Sequence, residues 1–283
     1  MIWILLGILL AFGLALLLFA VLVFCMAPGK TSPEAKKMEE AFSGLNCAHR
    51  GLHTEDQCVP ENSIPAFAAA REKGYGVELD VHLSKDGQVV VFHDDDLKRA
   101  CGVDKLVSDL NWNELSALPL FGTQECIPLL SEALKVLDDA PVIIEIKSAG
   151  ANNAKLCRKT LDVLRKHGQC FCVESFDPRV VAWFRKNAPD VLRDQLSTPP
   201  HKFDTLSAPS AFLLGNLLMN FISRPHFVAY STEPRPFTAR LWLATGAMSV
   251  VWTVRPGHDI SHYEKVSDTI IFEYYTPPPR YRE

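Results

Sequence analysis

Between Leu45 and Phe272 the chain repeats one pattern, in which short β-like apolar runs are followed by helix-like segments. This alternation restricts the fold more than any other feature, because it is what an α/β protein built on a parallel sheet requires. The runs predict strands at Leu45–His49, Val77–Val81, Val142–Ile146, Phe171–Phe176, Val191–Leu196, Phe227–Tyr230, Ser249–Val254 and Thr269–Phe272. Helix-like intervals lie at Ser63–Lys73, Leu129–Leu137, Asn153–Lys166 and Arg179–Asn187. Eight strands suggest a closed barrel, and 283 residues with 48% hydrophobic composition suffice for one of that size.

One further run, Val89–His93, stands apart from the alternation. Only Ser84 to Gln88 separate it from Val77–Leu83, with Asp86-Gly87 as the turn. A parallel pair needs a crossover of a dozen or more residues, so this run folds back as the antiparallel arm of a hairpin. Glu78 and Asp80, two apart on a strand, project from one face. Pairing about the turn sets His93 opposite Leu79 or Asp80.

In a barrel of this type the active site lies at the C-terminal ends of the strands. His49, Glu78, Asp80, Glu145, Lys147, Ser175, Arg193 and Trp252 all fall near strand ends. An exposed acidic strand face is the plain competing reading for Glu78 and Asp80. Convergence of three carboxylates from different strands with two histidines favours a site. Oxygen-rich ligation of that kind suits a hard divalent cation, Ca²⁺ or Mg²⁺, and zinc would more often recruit histidine or cysteine.

The remaining composition mainly excludes. A net charge of −4 and scattered Lys and Arg argue against a nucleic-acid partner. The eight cysteines show no paired CxxC spacing of a zinc site and suit a reducing compartment. Oligomeric state leaves no mark on the sequence.

Residues Ile2 to Ala27 form an unbroken apolar run, longer than the ~20 residues that span a bilayer as a helix. No Lys or Arg precedes the run, so an uncleaved single-pass anchor fits better than a signal peptide. Lys30, Lys36 and Lys37 follow it, which by the positive-inside rule places the body on the cytoplasmic side. The expected division is a transmembrane anchor at 1–28, a polar tether at 29–43 and a barrel domain at 44–283. A second apolar stretch, Ala208 to Ile222, is too short and too interrupted for a span. It reads either as a buried barrel helix or as an interfacial helix near the active-site rim, with Arg224 at the headgroup level.

The chain resembles the glycerophosphodiester phosphodiesterases, relatives of the phosphatidylinositol-specific phospholipases C. The likeness rests on His49-Arg50-Gly51, Pro60-Glu61-Asn62-Ser63, Val77-Glu78-Leu79-Asp80-Val81, Lys85-Asp86-Gly87, His93-Asp94, Leu97 to Arg99, Ile127-Pro128, Glu145-Ile146-Lys147, Ser175-Phe176 and Trp252-Thr253-Val254. The resemblance implies a TIM (β/α)8 barrel, here with an N-terminal transmembrane helix. It implies metal-dependent hydrolysis of a glycerophosphodiester to glycerol 3-phosphate and an alcohol, with lysophospholipid-type substrates within its reach. Glu78, Asp80 and Glu145 would hold the cation, and His49 and His93 would form the acid–base pair. Arg50 and Lys147 suit phosphate oxygens, and Trp252 would be a substrate platform. Glu61 would support Arg50 or the metal shell, and Asn62 would touch substrate or cap the helix starting near Ser63. A non-catalytic barrel that binds lipid headgroups, or phospholipase C- or D-like cleavage of intact lipid, are the alternatives; the metal and acid–base positions are intact, against the first. The family often carries Asn after the Trp-Thr-Val run and Asp near the end of the last strand, where this chain has Arg255 and Glu273. Those departures bear on headgroup preference rather than on metal chemistry.

Overall fold

In the computed structural model, which describes residues 2–148 and 150–282, the alternating runs close into a barrel. The strands are β1 (Leu45–His49), β2 (Gly76–Leu83), β3 (Val89–Val91), β4 (Val142–Ile146), β5 (Phe171–Ser175), β6 (Leu192–Ser197), β7 (Phe227–Ser231), β8 (Ser249–Val254) and β9 (Thr269–Phe272). All but β3 pair in parallel, in the order β1-β9-β8-β7-β6-β5-β4-β2, and β1 pairs β2 to complete the ring. β3 lies antiparallel on the end of β2 with Val81 opposite Val91. That register sets Asp80 beside Phe92, whose N–H donates to the Asp80 carbonyl, and leaves His93 just beyond the paired residues.

Side-chain parity explains why nearly continuous apolar runs can carry a polar site. On β2, Val77, Leu79 and Val81 pack outward against Phe67, Ala70 and Leu134 of the surrounding helices. Glu78 and Asp80 therefore point into the barrel. The same alternation turns Val142, Ile144 and Ile146 out and Glu145 in. The interior floor is apolar, with Leu45, Cys47, Ile143, Cys172, Leu192 and Phe227 in one cluster. Carboxylates sit above it, where the strands end.

That floor is closed by a helix. Residues 29–43, expected as a polar tether, contain the helix Pro33–Phe42, capped by Ser32, whose Oγ accepts from the Ala35 N–H at 3.1 Å. Its sequence PEAKKMEEAF is mostly charged, yet Ala35 and Phe42, seven apart and so on one face, are completely buried against the floor residues.

The apolar run becomes the helix Ile2–Met26, about 37 Å long at 1.5 Å per residue, enough to cross a bilayer. It projects from the barrel and is buried only at Met26, which packs with Leu217, Val228 and Trp242. The stretch Ala208–Ile222, expected as one helix, is broken into Ala208–Gly215 and Asn220–Ser223, with Leu217 at φ 58° between them. Both expected characters are present in it: Ala211, Gly215 and Asn220 are buried, and Phe212, Leu213 and Phe221 are exposed. Arg224 does not reach outward. Its guanidinium donates to the Phe24 and Ala27 carbonyls at 2.6 and 3.0 Å and lies 4.5 Å over the Phe24 ring, capping the long helix.

Candidate active site

Four barrel strands and two loops bring the candidate residues together. His49 and Glu78 are register neighbours on β1 and β2, and Asp80 and Glu145 are register neighbours on β2 and β4. Carboxylate oxygens of Glu78, Asp80 and Glu145 lie within 4.8 Å of one another, and all three residues are buried. Burial, with Asp80 and Glu145 close by, pushes Glu78 well above the usual carboxylate range. Burial also raises Glu145, against the opposing pull of Lys147. For Asp80 the burial penalty is outweighed by Lys147, His93 and Arg50, which hold it well below its ordinary value. Like charges this close in a low dielectric need a cation. Lys147 supplies one, its Nζ 2.7 Å from Asp80 Oδ1 and 2.8 Å from Glu145 Oε1.

The donors fit a divalent ion. They are all oxygens, they converge from two strands, and two of the three carry a burial penalty that a dication would relieve. Lys147 contacts two of the proposed ligands, so it can neutralise the set and also reach a phosphate oxygen in the cleft it lines.

Around this core runs a chain of carboxylate and guanidinium groups. The Arg50 N–H donates to Glu78 Oε2 at 3.0 Å. Its side chain donates to Glu61 Oε1 at 2.8 Å and lies 3.6 Å from Asp80 Oδ2. Such an approach requires the Arg50-Gly51 turn, with both residues at positive φ. A Cβ at Gly51 would sit 2.9 Å from the Ala66 backbone, so glycine is needed there on two counts. Asn62 Nδ2 donates to Asp80 Oδ2 at 2.8 Å, and the helix cap falls to Ser63. Glu61 also accepts from Arg99 at 2.7 Å, and Arg99 holds Asp94 at 2.7 Å.

Each histidine has a carboxylate on Nδ1. Asp94 Oδ1 is 2.6 Å from His93 Nδ1, and Glu273 Oε2 is 2.5 Å from His49 Nδ1. This leaves the other ring nitrogen of each directed elsewhere; His49 Nε2 is 3.9 Å from Glu78 Oε2. Burial, reinforced by Arg50 and opposed by Glu273, draws His49 down to about 4. Glu273 is ion-paired to Arg255 and lies 3.6 Å from His53 Nε2. His49, His53 and Glu273 also form a group whose ligand atoms lie within 4.8 Å, but there the carboxylate is already engaged by His49 and Arg255.

Two sequence expectations shift. Arg193, expected near the rim, is the second residue of β6, buried at its opposite end, and donates to the Arg224 carbonyl at 3.2 Å. Asp94, Arg99 and Glu273 were not among the expected site residues. The available signal for Glu273 was its place one residue past β9, the strand that closes onto β1 beside His49. Trp252 lines the cleft and stands edge-on to Phe176 at 5.6 Å, and Ser175 donates to the Ile146 carbonyl at 2.7 Å.

Comparison with known proteins agrees with this arrangement. Residues 49–268 match the Glycerophosphoryl diester phosphodiesterase family. Over 147 residues the chain is 33% identical to the lysophospholipase D GDPD1 of Homo sapiens, covering 47% of this chain and 45% of that protein. Over 113 residues it is 41% identical to a glycerophosphodiester phosphodiesterase of Caldanaerobacter subterraneus, covering 37% and 45%. The chain thus spans about half the length of the curated relatives it matches. Among solved structures, an Oleispira antarctica phosphodiesterase in complex with the product sn-glycerol-3-phosphate superposes with a TM-score of 0.66 at 24% identity, covering 83% of this chain and 94% of that one. A glycerophosphodiester phosphodiesterase of Thermotoga maritima gives 0.59 at 28%, covering 81% and 93%.

Proposed function

Since the chain belongs to the glycerophosphoryl diester phosphodiesterase family, we infer that it hydrolyses glycerophosphodiesters to glycerol 3-phosphate and an alcohol at the rim of this barrel. The observation that carries the reading is the meeting of Glu78, Asp80 and Glu145 with Lys147, beside two histidines each held by a carboxylate. A bound Ca²⁺ or Mg²⁺ on the three carboxylates would supply charge stabilisation for the phosphoryl transition state. Arg50 and Lys147 orient the diester by its non-bridging oxygens, Arg50 being itself fixed by Glu61. His49 and His93 exchange protons with the attacking and leaving oxygens, and Glu273 and Asp94 fix which nitrogen of each ring is available. Trp252 and Phe176 offer an aromatic wall to the rest of the substrate.

In this reading residues 1–28 anchor the protein as a single-pass span and 44–283 form the catalytic domain. Lys30, Lys36 and Lys37 beyond the span support a cytoplasmic barrel. Mass spectrometry of the products from a panel of glycerophosphodiesters, with and without chelator, tests the chemistry. Glycerol 3-phosphate that disappears on chelation is the expected result. Activity that survives chelation, or that survives in a His49→Ala, His93→Ala double variant, defeats the mechanism.

A further inference from the structure

The cleft that contains His93, Glu145 and Lys147 continues well past them. Its volume is about 1330 Å³, above the roughly 300–1,000 Å³ that encloses a drug-sized ligand. The extension is walled by Phe203, Leu213, Leu214, Met219 and Ile222. From Leu206 to Ile222 there is not one charged residue. A polar headgroup finds no ionic partner along that wall, and a hydrocarbon does.

The wall is held in place from behind. Ser197 Oγ donates to the Leu214 carbonyl at 2.9 Å and Tyr230 Oη to the Gly215 carbonyl at 3.0 Å. Gly215 lies so close to Pro200 that a Cβ would come within 2.7 Å of its ring. The lining is thus preformed, as a binding surface needs to be. Its outer side leads to the membrane helix: Asn220–Ser223 pack against Ile2–Met26, Leu217 covers Met26, and Phe212 and Phe221 stand 55% and 41% exposed on the same segment. One uncharged segment therefore lines the catalytic cleft on one side and adjoins the bilayer-spanning helix on the other.

We propose that this wall is an acyl-chain subsite, and that the preferred substrate is a glycerophosphodiester carrying one long acyl chain, taken up at the bilayer surface. The chain lies along Leu213, Leu214, Met219 and Ile222, and the phosphate sits by Lys147. The proposal rests on the hydrolytic reading above and adds to it the class of substrate. Binding energy from a remote chain is spent in the transition state, so acylation raises kcat/KM.

The test uses the full-length chain in phosphatidylcholine vesicles, with glycerophosphocholine and lysophosphatidylcholines of six, ten and sixteen acyl carbons as substrates. Expected is a kcat/KM that rises with chain length, by on the order of tenfold or more across the series. Leu213→Ser and Met219→Gln should each lower the ratio of the sixteen-carbon to the deacylated rate. A wild-type rate independent of chain length overturns the subsite, and so does a ratio unmoved in both variants. The chain-length series is run on wild-type protein and decides the matter even where a variant fails to fold. Cleavage of neither class instead removes the hydrolytic reading beneath the proposal.

Discussion

Glu273 grips His49 across the seam where the barrel closes: its Oε2 lies 2.5 Å from Nδ1, although 224 residues separate the two in sequence. The carboxylate is held well below its usual range despite burial, because His49, His53 and Arg255 all favour its charged form. It is therefore ionised at neutral pH and fixes the tautomer and orientation of the ring. Replacing it with alanine should lower kcat about 10- to 100-fold with little change in KM, since the loss falls on proton transfer rather than on phosphate binding. Steady-state kinetics on a glycerophosphodiester checks the split. A KM rise at constant kcat would assign Glu273, with Arg255, to substrate binding instead.

The acidic triad predicts a stability response to divalent cations. Glu78 and Glu145 are both raised by burial, so the free protein holds repelling carboxylates that only Lys147 offsets. Saturating Ca²⁺ or Mg²⁺ should raise Tm, by the equivalent of about 2.7 kcal/mol at a hundredfold excess over Kd. Glu145→Gln should blunt that gain. Differential scanning fluorimetry with and without chelator reads it directly.

A second buried acidic pair lies deeper, with Glu174 and Asp194 as register neighbours on β5 and β6. Each leaves one carboxyl oxygen without a partner. Burial pushes Asp194 up to about 8, against the hydrogen bond it accepts from the Ala229 N–H at 2.8 Å. Its folded-state value is thus above its unfolded value of ~4, so the folded protein binds the extra proton between those limits. This site's contribution falls as pH rises from ~4 through about 8. Asp194→Asn should remove that slope. Urea midpoints at pH 5 and pH 8 should differ less in the variant than in the wild type.

Gly215 makes a packing prediction. Alanine there would drive its Cβ to within 2.7 Å of Pro200 Cδ and 2.8 Å of the Pro200 nitrogen, a backbone atom that has little room to yield. A loss of about 1–3 kcal/mol is expected from overpacking. It is measurable by chemical denaturation, and it should come with faster proteolysis between residues 203 and 222.

The barrel was legible because each strand is a compact apolar run and the intervals between them are long enough for crossovers. β4, β8 and β9 begin and end where the runs do. The carboxylates were legible for a local reason too: Glu78 and Asp80 share a strand face whatever the rest of the chain does. What stayed hidden depends on closure and on parity. The Glu273–His49 contact exists only because β9 returns to β1. Arg193 looked like a strand-end residue, yet Leu192 and Asp194 take the interior positions of β6, and Arg193 begins the strand instead of ending it. In Pro33–Phe42 the seven charged or polar neighbours concealed a two-residue apolar face that matters only once there is an opening to cover.

That last helix changes how the protein can be divided. The segment leading away from the membrane span is also the stopper of the barrel, with Phe42 fully buried beneath the interior. Full burial of one such ring is worth about 1.5–3 kcal/mol. A shortened chain begun at residue 44 would lose its anchor and its floor in one cut, and solvent would enter under the acidic centre. A soluble catalytic fragment should begin no later than Ser32, where the stopper's own cap begins.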